Sequence, residues 1–277
     1  MNRIRTGYCL VPNPFNPVQV SEISLAPGDV DLFVFWTRNP EPLIPHLKGL
    51  DARGYHYYFL YTLMENPRIL DPKSPSCEIS IRIFRELSDL TGPERVIWRY
   101  DPIVLSNVTD IGFHRQRFEF IADRLRGYTS RCIISFVDIY RKIEGRLKRL
   151  NAEGFLLSEW NNPNLPDLLN SMAGIAGNNG IRITSCASRV DLTGFGIPAG
   201  KCIDDIHIAD IFGKRLDLKK DPSQRKHCNC VISRDIGMYD TCLYECRYCY
   251  ATTSFEKAKM NFKKHNPDSP SLLPVTA

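Results

Sequence analysis

The first two thirds of the chain alternate short apolar runs with longer segments whose apolar residues recur every three or four positions. The runs have the length and composition of buried strands, and they cover residues 31–36, 56–62, 95–100, 132–137 and 181–185. Helices are predicted around residues 43–50, 79–90, 118–125, 143–150 and 165–172. Ser74, followed by Pro75, is the predicted N-cap of the second helix. Fully apolar strands that alternate with helices pair in parallel, so the pattern predicts an α/β fold with a parallel sheet.

Right-handed crossovers close such a sheet toward a barrel or a doubly wound sheet. No G-x-G-x-x-G follows any of the runs, so a dinucleotide-binding sheet lacks its usual loop. We therefore expect a partial or full parallel β/α barrel of the TIM type over residues 1–223. Residues 224–265 are expected to complete it as a cysteine-rich segment, and residues 266–277 to be a disordered tail. Trp36 and Trp98 are expected in the core.

Ten cysteines are the unusual part of the composition, and seven of them lie from Cys186 onward. No apolar run is long enough for a membrane helix, and the N-terminus lacks the apolar stretch of a signal peptide, so we expect a cytoplasmic protein without a membrane partner. Stable disulfides are unfavourable in that compartment, which makes metal binding the favoured role of clustered cysteines. The formal net charge of +5 permits an anionic partner such as a nucleic acid without requiring one.

Three of these cysteines, Cys242, Cys246 and Cys249, have the spacing C-x3-C-x2-C. Three thiolates so close together can ligate one iron–sulfur cluster. On a 4Fe-4S cluster they leave one iron open for a substrate or cofactor, much as a catalytic zinc keeps one open position. The alternative is a zinc site that takes a fourth ligand from elsewhere in the chain.

A second group of four cysteines precedes this motif, namely Cys186, Cys202, Cys228 and Cys230. Four thiolates can complete a closed 4Fe-4S cluster or a structural zinc site, and the softness of the ligands favours the cluster. Cys228 and Cys230 are too close in sequence to form an unstrained disulfide with each other. The alternative is that some of the four are simply small buried apolar residues.

Polar residues at the carboxyl ends of the predicted strands are the candidates for chemistry, because the site of a β/α barrel lies there. Arg99 and Asp101 are the predicted catalytic residues, and Thr37 and Ser135 are predicted to bind the cofactor. Arg99 is suited to hold a carboxylate or phosphate, and Asp101 to accept a hydrogen bond from a hydroxyl group. The two lie two positions apart on an extended strand and face the same side, which equally suits a structural ion pair.

The form C-x3-C-x-aromatic-C, with Tyr248 as the aromatic residue, resembles the signature of the radical S-adenosylmethionine superfamily. Its continuation through Tyr250 and Ala251 is most similar to the branch that includes spore photoproduct lyase. The resemblance implies that the open iron binds the methionine part of S-adenosylmethionine, and that an electron donor such as flavodoxin or ferredoxin is a partner. It also implies that Tyr248 packs at the cluster and offers its backbone to the adenine.

Several segments resemble, in order, those of the bacterial proteins catalogued as domain of unknown function 1848. They are residues 11–17, 35–40, 98–103, 200–204 and 235–251. The resemblance covers nearly all of the chain, and it implies an architecture more than a reaction.

The chain departs from both patterns. In radical S-adenosylmethionine enzymes generally the cysteine motif follows the first barrel strand, whereas here it follows the last. We therefore expect a circularly permuted barrel in which residues 235–239 form the strand that feeds the cluster loop. Proteins of the resembled family usually begin with an extra strand carrying a Ser-Arg-Arg-Thr-Asp-like segment. That segment would lie upstream of Met1, so we expect this chain to lack its first barrel strand.

These observations predict an iron–sulfur protein that works as a radical S-adenosylmethionine-type enzyme on an unknown substrate. Two alternatives remain open. In the first, the cysteines hold zinc or a closed cluster that joins the C-terminal segment to the barrel of a non-catalytic binding protein. In the second, the enzyme acts in nucleic-acid repair or modification.

Overall fold

The computed structural model describes residues 1–14, 16–158, 162–216 and 218–274. Phe15, within the first family-like segment, lies outside the described residues. The chain begins with a short helix and an antiparallel pair of strands, and a five-stranded parallel sheet follows, with its strands in the order of the chain. The strands are β1 (Tyr8–Pro12), β2 (Val20–Ser24), β3 (Phe33–Thr37), β4 (Tyr57–Thr62), β5 (Val96–Ile103), β6 (Arg131–Phe136) and β7 (Arg182–Ser185).

Helices lie before, between and after the strands. They are α1 (Asn2–Thr6), α2 (Leu47–Asp51), α3 (Cys77–Thr91), α4 (Ile111–Leu125), α5 (Glu144–Ala152), α6 (Leu165–Asn178), α7 (Asp205–Phe212) and α8 (Phe255–Lys264). Ser76, not the predicted Ser74, caps α3, and its hydroxyl accepts a hydrogen bond from the backbone N–H of Ile79 at 3.3 Å. The helix therefore begins two residues later than expected, which frees Ser74 for a contact described below.

All five predicted strands are present, which confirms an α/β fold with a parallel sheet. Within the described residues the sheet does not close into the predicted barrel, because β3 and β7 lie at opposite edges of it. Residues 235–239 form no strand, so the prediction of a strand feeding the cluster loop is wrong. There Asp235 accepts a hydrogen bond from the backbone N–H of Gly237 at 2.8 Å, and such a local turn competes with sheet pairing.

The first face of the sheet packs on helices α3, α4 and α6 and forms the main core. Trp98 of β5 is fully buried there, its ring stacks on Phe118 of α4 at 4.7 Å, and its indole N–H donates to the carbonyl of Leu63. Its predicted place in the core is confirmed. Trp36 is 50% exposed, so the same prediction for it is wrong. It lies on β3, an edge strand that has a neighbouring strand on one side only.

The second face of the sheet is covered by the last third of the chain. Tyr58, Ile97 and Ile133 point to this face and pack against Cys202 and Val231. Because side chains alternate along a strand, Arg99 and Asp101 lie on the same face as Ile97. The second cysteine group therefore lies directly against the strands that carry the predicted catalytic residues.

The two ends of the described chain meet. The backbone N–H of Leu10 donates to the carbonyl of Pro270 at 3.0 Å, and Arg3 donates to the carbonyl of Ser271 at 2.7 Å. Residues 266–274 of the predicted disordered tail thus have defined contacts, and residues 275–277 lie outside the described residues. The division of the chain at residues 223 and 265 stays a prediction. No helix in the described ranges combines the length and apolar character that crossing a membrane requires.

Candidate functional site

The carboxyl edge of the parallel sheet gathers the sequence-predicted residues from different strands. β3 ends at Thr37 and is followed by Arg38, β5 carries Arg99 and Asp101, and β6 carries Ser135. This edge also receives both cysteine groups, because Tyr248 of the first motif contacts Arg38 after β3 and Cys202 of the second group contacts Arg99 of β5. The predicted gathering of polar residues at strand ends is thus what the fold produces.

The three-cysteine loop lies over the end of β3. Cys246 is buried, Cys249 is partly buried and Cys242 is exposed. A turn joins two of them, since the backbone N–H of Cys249 donates to the carbonyl of Cys246 at 3.1 Å. The thiol of Cys242 interacts electrostatically with both Cys249 and Arg38. Burial raises the pKa of the Cys246 thiol to about 12, and the charge of Arg38 opposes that shift.

The connection between β4 and α3 holds this loop in place. The backbone N–H of Arg247 donates to the carbonyl of Leu70 at 2.9 Å, and that of Lys73 donates to the carbonyl of Tyr244 at 3.3 Å. The hydroxyl of Ser74 lies 3.8 Å from the sulfur of Cys246. A segment for which the sequence predicted only a helix cap is therefore the support of the cysteine loop.

Tyr248 is anchored to the end of β3 by a buried polar network. Its hydroxyl donates to Asp71 Oδ2 at 2.9 Å and also contacts the guanidinium of Arg38. Asp71 pairs with Arg38 at 3.0 Å and accepts a hydrogen bond from the Asn66 amide at 3.0 Å. Burial disfavours the charged form of Arg38, but Tyr248 and Asp71 outweigh that effect, so its pKa is raised above the ordinary value. The network fixes one face of the cysteine loop.

A second arginine supports the loop from the other side. Arg146 of α5 donates to the carbonyl of Cys249, and its guanidinium lies over the ring of Phe255 at 5.1 Å. Sequence reasoning missed Arg146, Asn66 and Asp71. Asp71 follows a strand on the carboxyl edge, which was a weak signal, whereas nothing in the pattern distinguished Arg146 from other helical arginines.

The second cysteine group converges from three distant parts of the chain, and all four of its members are buried. The thiol of Cys202 donates to the sulfur of Cys186 at 3.2 Å, and this bond lowers the pKa of Cys186. The backbone N–H groups of Cys202 and Ile203 donate to the sulfur of Cys230 at 3.3 and 3.4 Å. Cys228 shares a hydrogen bond with Cys230, which raises the pKa of Cys228.

Arg99 links this group to the predicted catalytic carboxylate. Its guanidinium donates to the sulfur of Cys202 at 3.4 Å and to Asp101 Oδ2 at 2.6 Å. The other oxygen of Asp101 accepts a hydrogen bond from the hydroxyl of Ser135. The structural ion pair that the sequence left open is therefore present, and the catalytic and cofactor roles stay predictions. The hydroxyl of Thr37 accepts the backbone N–H of Asn39 at 2.9 Å, which caps the end of β3.

An open cavity of about 660 Å³ lies beside the site, between the end of β6 and α5. Asp138 and Arg189 line it and form an ion pair of 3.1 Å, and Asp138 also pairs with Arg225 at 2.8 Å. In the described part of the chain, no three His, Cys, Asp or Glu side chains already stand in the arrangement of a metal-binding group.

Comparison with known proteins gives one match. The family model of Domain of unknown function (DUF1848) matches residues 1–251. No curated protein and no solved structure matches the chain.

Proposed function

This chain belongs to the DUF1848 family, and from that premise we propose that it is an iron–sulfur enzyme of the radical S-adenosylmethionine type. Its cluster ligands would be Cys242, Cys246 and Cys249. The observation that carries the proposal is the guanidinium of Arg38, which Asp71 and Tyr248 of the cysteine loop hold in place. Its charge opposes the rise that burial causes in the pKa of the Cys242 and Cys246 thiols. A 4Fe-4S cluster with three thiolate ligands is anionic, and a fixed cation beside it stabilises that charge in a partly buried site.

The donor set of the loop fits such a cluster. Three thiols lie within one short loop, and thiolates are the ligands that iron–sulfur clusters select. The hydroxyl of Ser74 and that of Thr252 each lie 3.8 Å from a cysteine sulfur, of Cys246 and Cys249 respectively. Hydrogen bonds to the sulfurs are one of the means by which a protein sets the potential of a cluster.

When bound, the cluster and S-adenosylmethionine would supply the electron and the radical, and the residues of the chain would position the substrate. Asp101 is the candidate for that task, because Arg99 and Ser135 fix its two oxygens in one orientation. Lone pairs that remain on those oxygens can accept a hydrogen bond from a substrate or ribose hydroxyl. Tyr248 keeps its backbone in the loop while its side chain is anchored in the polar network.

Three expectations from the sequence are part of the same proposal. They are a likeness to the branch that includes spore photoproduct lyase, a cytoplasmic location, and a flavodoxin or ferredoxin as electron donor. The five-stranded sheet is proposed to be part of an open, partial β/α barrel. The non-catalytic, metal-stapled protein and the nucleic-acid enzyme remain the alternatives that the experiment must separate.

The test is anaerobic reconstitution of the full chain with iron and sulfide, followed by incubation with S-adenosylmethionine and dithionite. We expect cleavage of S-adenosylmethionine by the parent chain and its loss in Cys246→Ala. Cys9→Ala is the matched control, because Cys9 is a buried cysteine of β1, paired with Ile23 of β2, and belongs to neither cysteine group. It should leave cleavage unchanged.

Two outcomes would contradict the proposal. An intact cluster on the three-cysteine loop without cleavage of the cofactor would remove the enzymatic interpretation. Zinc in place of iron on that loop would favour the stapled binding protein. Binding to nucleic acid that weakens steeply with salt would favour the repair enzyme, because phosphate contacts release counterions.

A further inference from the structure

We propose that Cys186, Cys202, Cys228 and Cys230 form a second metal centre, a closed site in which four thiolates bind a thiophilic cation. The centre is separate from the loop of Cys242, Cys246 and Cys249. It does not depend on the proposed enzymatic activity, because a closed centre has no open position for a substrate.

The four cysteines converge from distant segments of the chain. Cys186 follows β7, Cys202 precedes α7, and Cys228 and Cys230 lie in a segment with no helix or strand of its own among its described residues. The sulfurs of Cys186 and Cys202 are 3.2 Å apart, and the backbone N–H of Cys202 donates to the sulfur of Cys230, two residues from Cys228. Four buried thiols from three distant segments meet on one face of the sheet, which is the ligand count of a closed zinc or 4Fe-4S site.

The hydrogen bonds around the group point toward its sulfurs. Two backbone N–H groups, of Cys202 and Ile203, donate to the sulfur of Cys230 at 3.3 and 3.4 Å. The guanidinium of Arg99 donates to the sulfur of Cys202 at 3.4 Å. Three N–H donors are thus aimed at two buried sulfurs, and such donors stabilise thiolate ligands when a metal is bound.

The balance of charge around the four cysteines also favours a metal cation. Arg99 is the cation in direct contact with this group, and it also pairs with Asp101 at 2.6 Å. Its single charge is thus already shared with a carboxylate. Buried thiolates without a balancing charge are unfavourable, and a metal cation at the centre of the four supplies that balance.

The backbone around the group is fixed by close contacts. The backbone N–H of Gly200 donates to the carbonyl of Ser185 at 2.8 Å, and a Cβ on Gly200 would lie 2.5 Å from the hydroxyl of Thr184. The backbone N–H of Val231 donates to the carbonyl of Ile203 at 3.2 Å. These bonds bring the segments of all four cysteines together and leave only the side chains to adjust.

The adjustment that a metal requires is small. The sulfurs of Cys186 and Cys202 are 3.2 Å apart. Ligands of a tetrahedral zinc with Zn–S bonds of about 2.3 Å lie about 3.8 Å from each other. These two sulfurs must separate by roughly half an ångström, which rotation of the side chains provides.

The experiment isolates the second centre. The full chain carrying Cys242→Ala, Cys246→Ala and Cys249→Ala is expressed with zinc and iron supplied, purified without oxygen, and its bound metals and sulfide are counted. We expect either about one zinc, or about four iron with matching sulfide, per chain. Adding Cys202→Ser should weaken metal binding by about tenfold or more in competition with a chelator, since even removal of a residue outside the ligand shell costs about that much affinity. Adding Cys9→Ala should leave it unchanged.

X-ray absorption of the bound metal in the triple variant keeps the test decisive if the Cys202→Ser protein fails to fold. Four sulfur ligands per zinc, or iron with the spectrum of a fully thiolate-ligated cluster, supports the proposal. A folded triple variant without bound metal overturns it, and so does a disulfide between Cys186 and Cys202 in the protein purified under reducing conditions. Because the triple variant lacks the first loop, failure of the proposed enzymatic function leaves this result unaffected.

Discussion

Replacing Asp71 by alanine should destabilise the protein strongly, because this carboxylate is buried and holds three partners. It is 3% exposed, pairs with Arg38 at 3.0 Å and accepts hydrogen bonds from Asn66 and Tyr248. In Asp71→Ala the guanidinium of Arg38, whose side chain is 15% exposed, loses its counter-ion. Removing one partner of a buried ion pair costs about 3–5 kcal/mol. Arg38 keeps its contacts with Ser74 and Tyr248, so we expect the lower end, about 3 kcal/mol.

The assay is urea unfolding followed by circular dichroism, with the free energy of unfolding compared between variants. Asp31→Ala is the matched control, since Asp31 pairs with Lys214 at 2.8 Å but is 51% exposed. Exposed pairs contribute less than about 1 kcal/mol. Limited proteolysis adds a local measure, and the loop that carries Tyr248 should be cut faster in Asp71→Ala. A loss below about 1 kcal/mol with unchanged proteolysis would refute the view that this network anchors the cysteine loop.

Three further predictions concern the core and the backbone. Burial lowers the pKa of His114 to about 4. The native imidazole thus stays neutral while the unfolded one gains a proton below its ordinary pKa of 6.5, so this group should lower stability by about 3 kcal/mol as the pH drops from 6.5 to 4. In urea titrations His114→Gln should remove that share and leave the share of His207, whose pKa is also lowered to about 4. Gly200→Ala should cost about 1–3 kcal/mol through its clash with β7, whereas Gly174→Ala in α6, with nothing within 4 Å, should be neutral or stabilising in thermal melts. Trp98→Ala should cost about 3–5 kcal/mol and Trp36→Ala less than about 1 kcal/mol in urea unfolding.

Each of these predictions has an opposing result. A flat dependence on pH in the parent chain would mean that His114 is protonated in the folded state. Equal effects of Gly200→Ala and Gly174→Ala would show that the approach of Gly200 to β7 is not close in solution. Similar losses for the two tryptophan variants would contradict the exposed position of Trp36.

The strands were predictable because parallel strands buried on both faces have continuous apolar sequences. Residues 56–62 and 132–137 are examples. Trp36 was misplaced because an apolar run does not say whether its strand lies at an edge of the sheet. Residues 235–239 were misplaced because the side chain of Asp235 accepts the backbone N–H of Gly237 and forms a local turn in place of a strand. An apolar run therefore predicts a strand, but its exposure and its pairing depend on residues elsewhere in the chain.

The residues of the candidate site were likewise only partly predictable from the sequence. The cysteines and Arg99 were predictable, because their residue types and spacing carry the chemistry by themselves. Asp71 and Arg146 were not, because each acts through a partner more than 100 residues away, Tyr248 for one and Cys249 for the other. A pairing of that kind leaves no periodic signal in a single sequence.

The covering of the second sheet face also sets an order of events during synthesis. Strands β3 to β7 and the helices between them are complete when residue 185 has left the ribosome, but Tyr58, Ile97 and Ile133 still await Cys202 and Val231. Until then a growing chain exposes an apolar sheet face, the kind of surface that holdase chaperones bind. The last third of the chain thus closes the fold as well as carrying the cysteines, and a nascent chain stalled before residue 202 should be retained by chaperones.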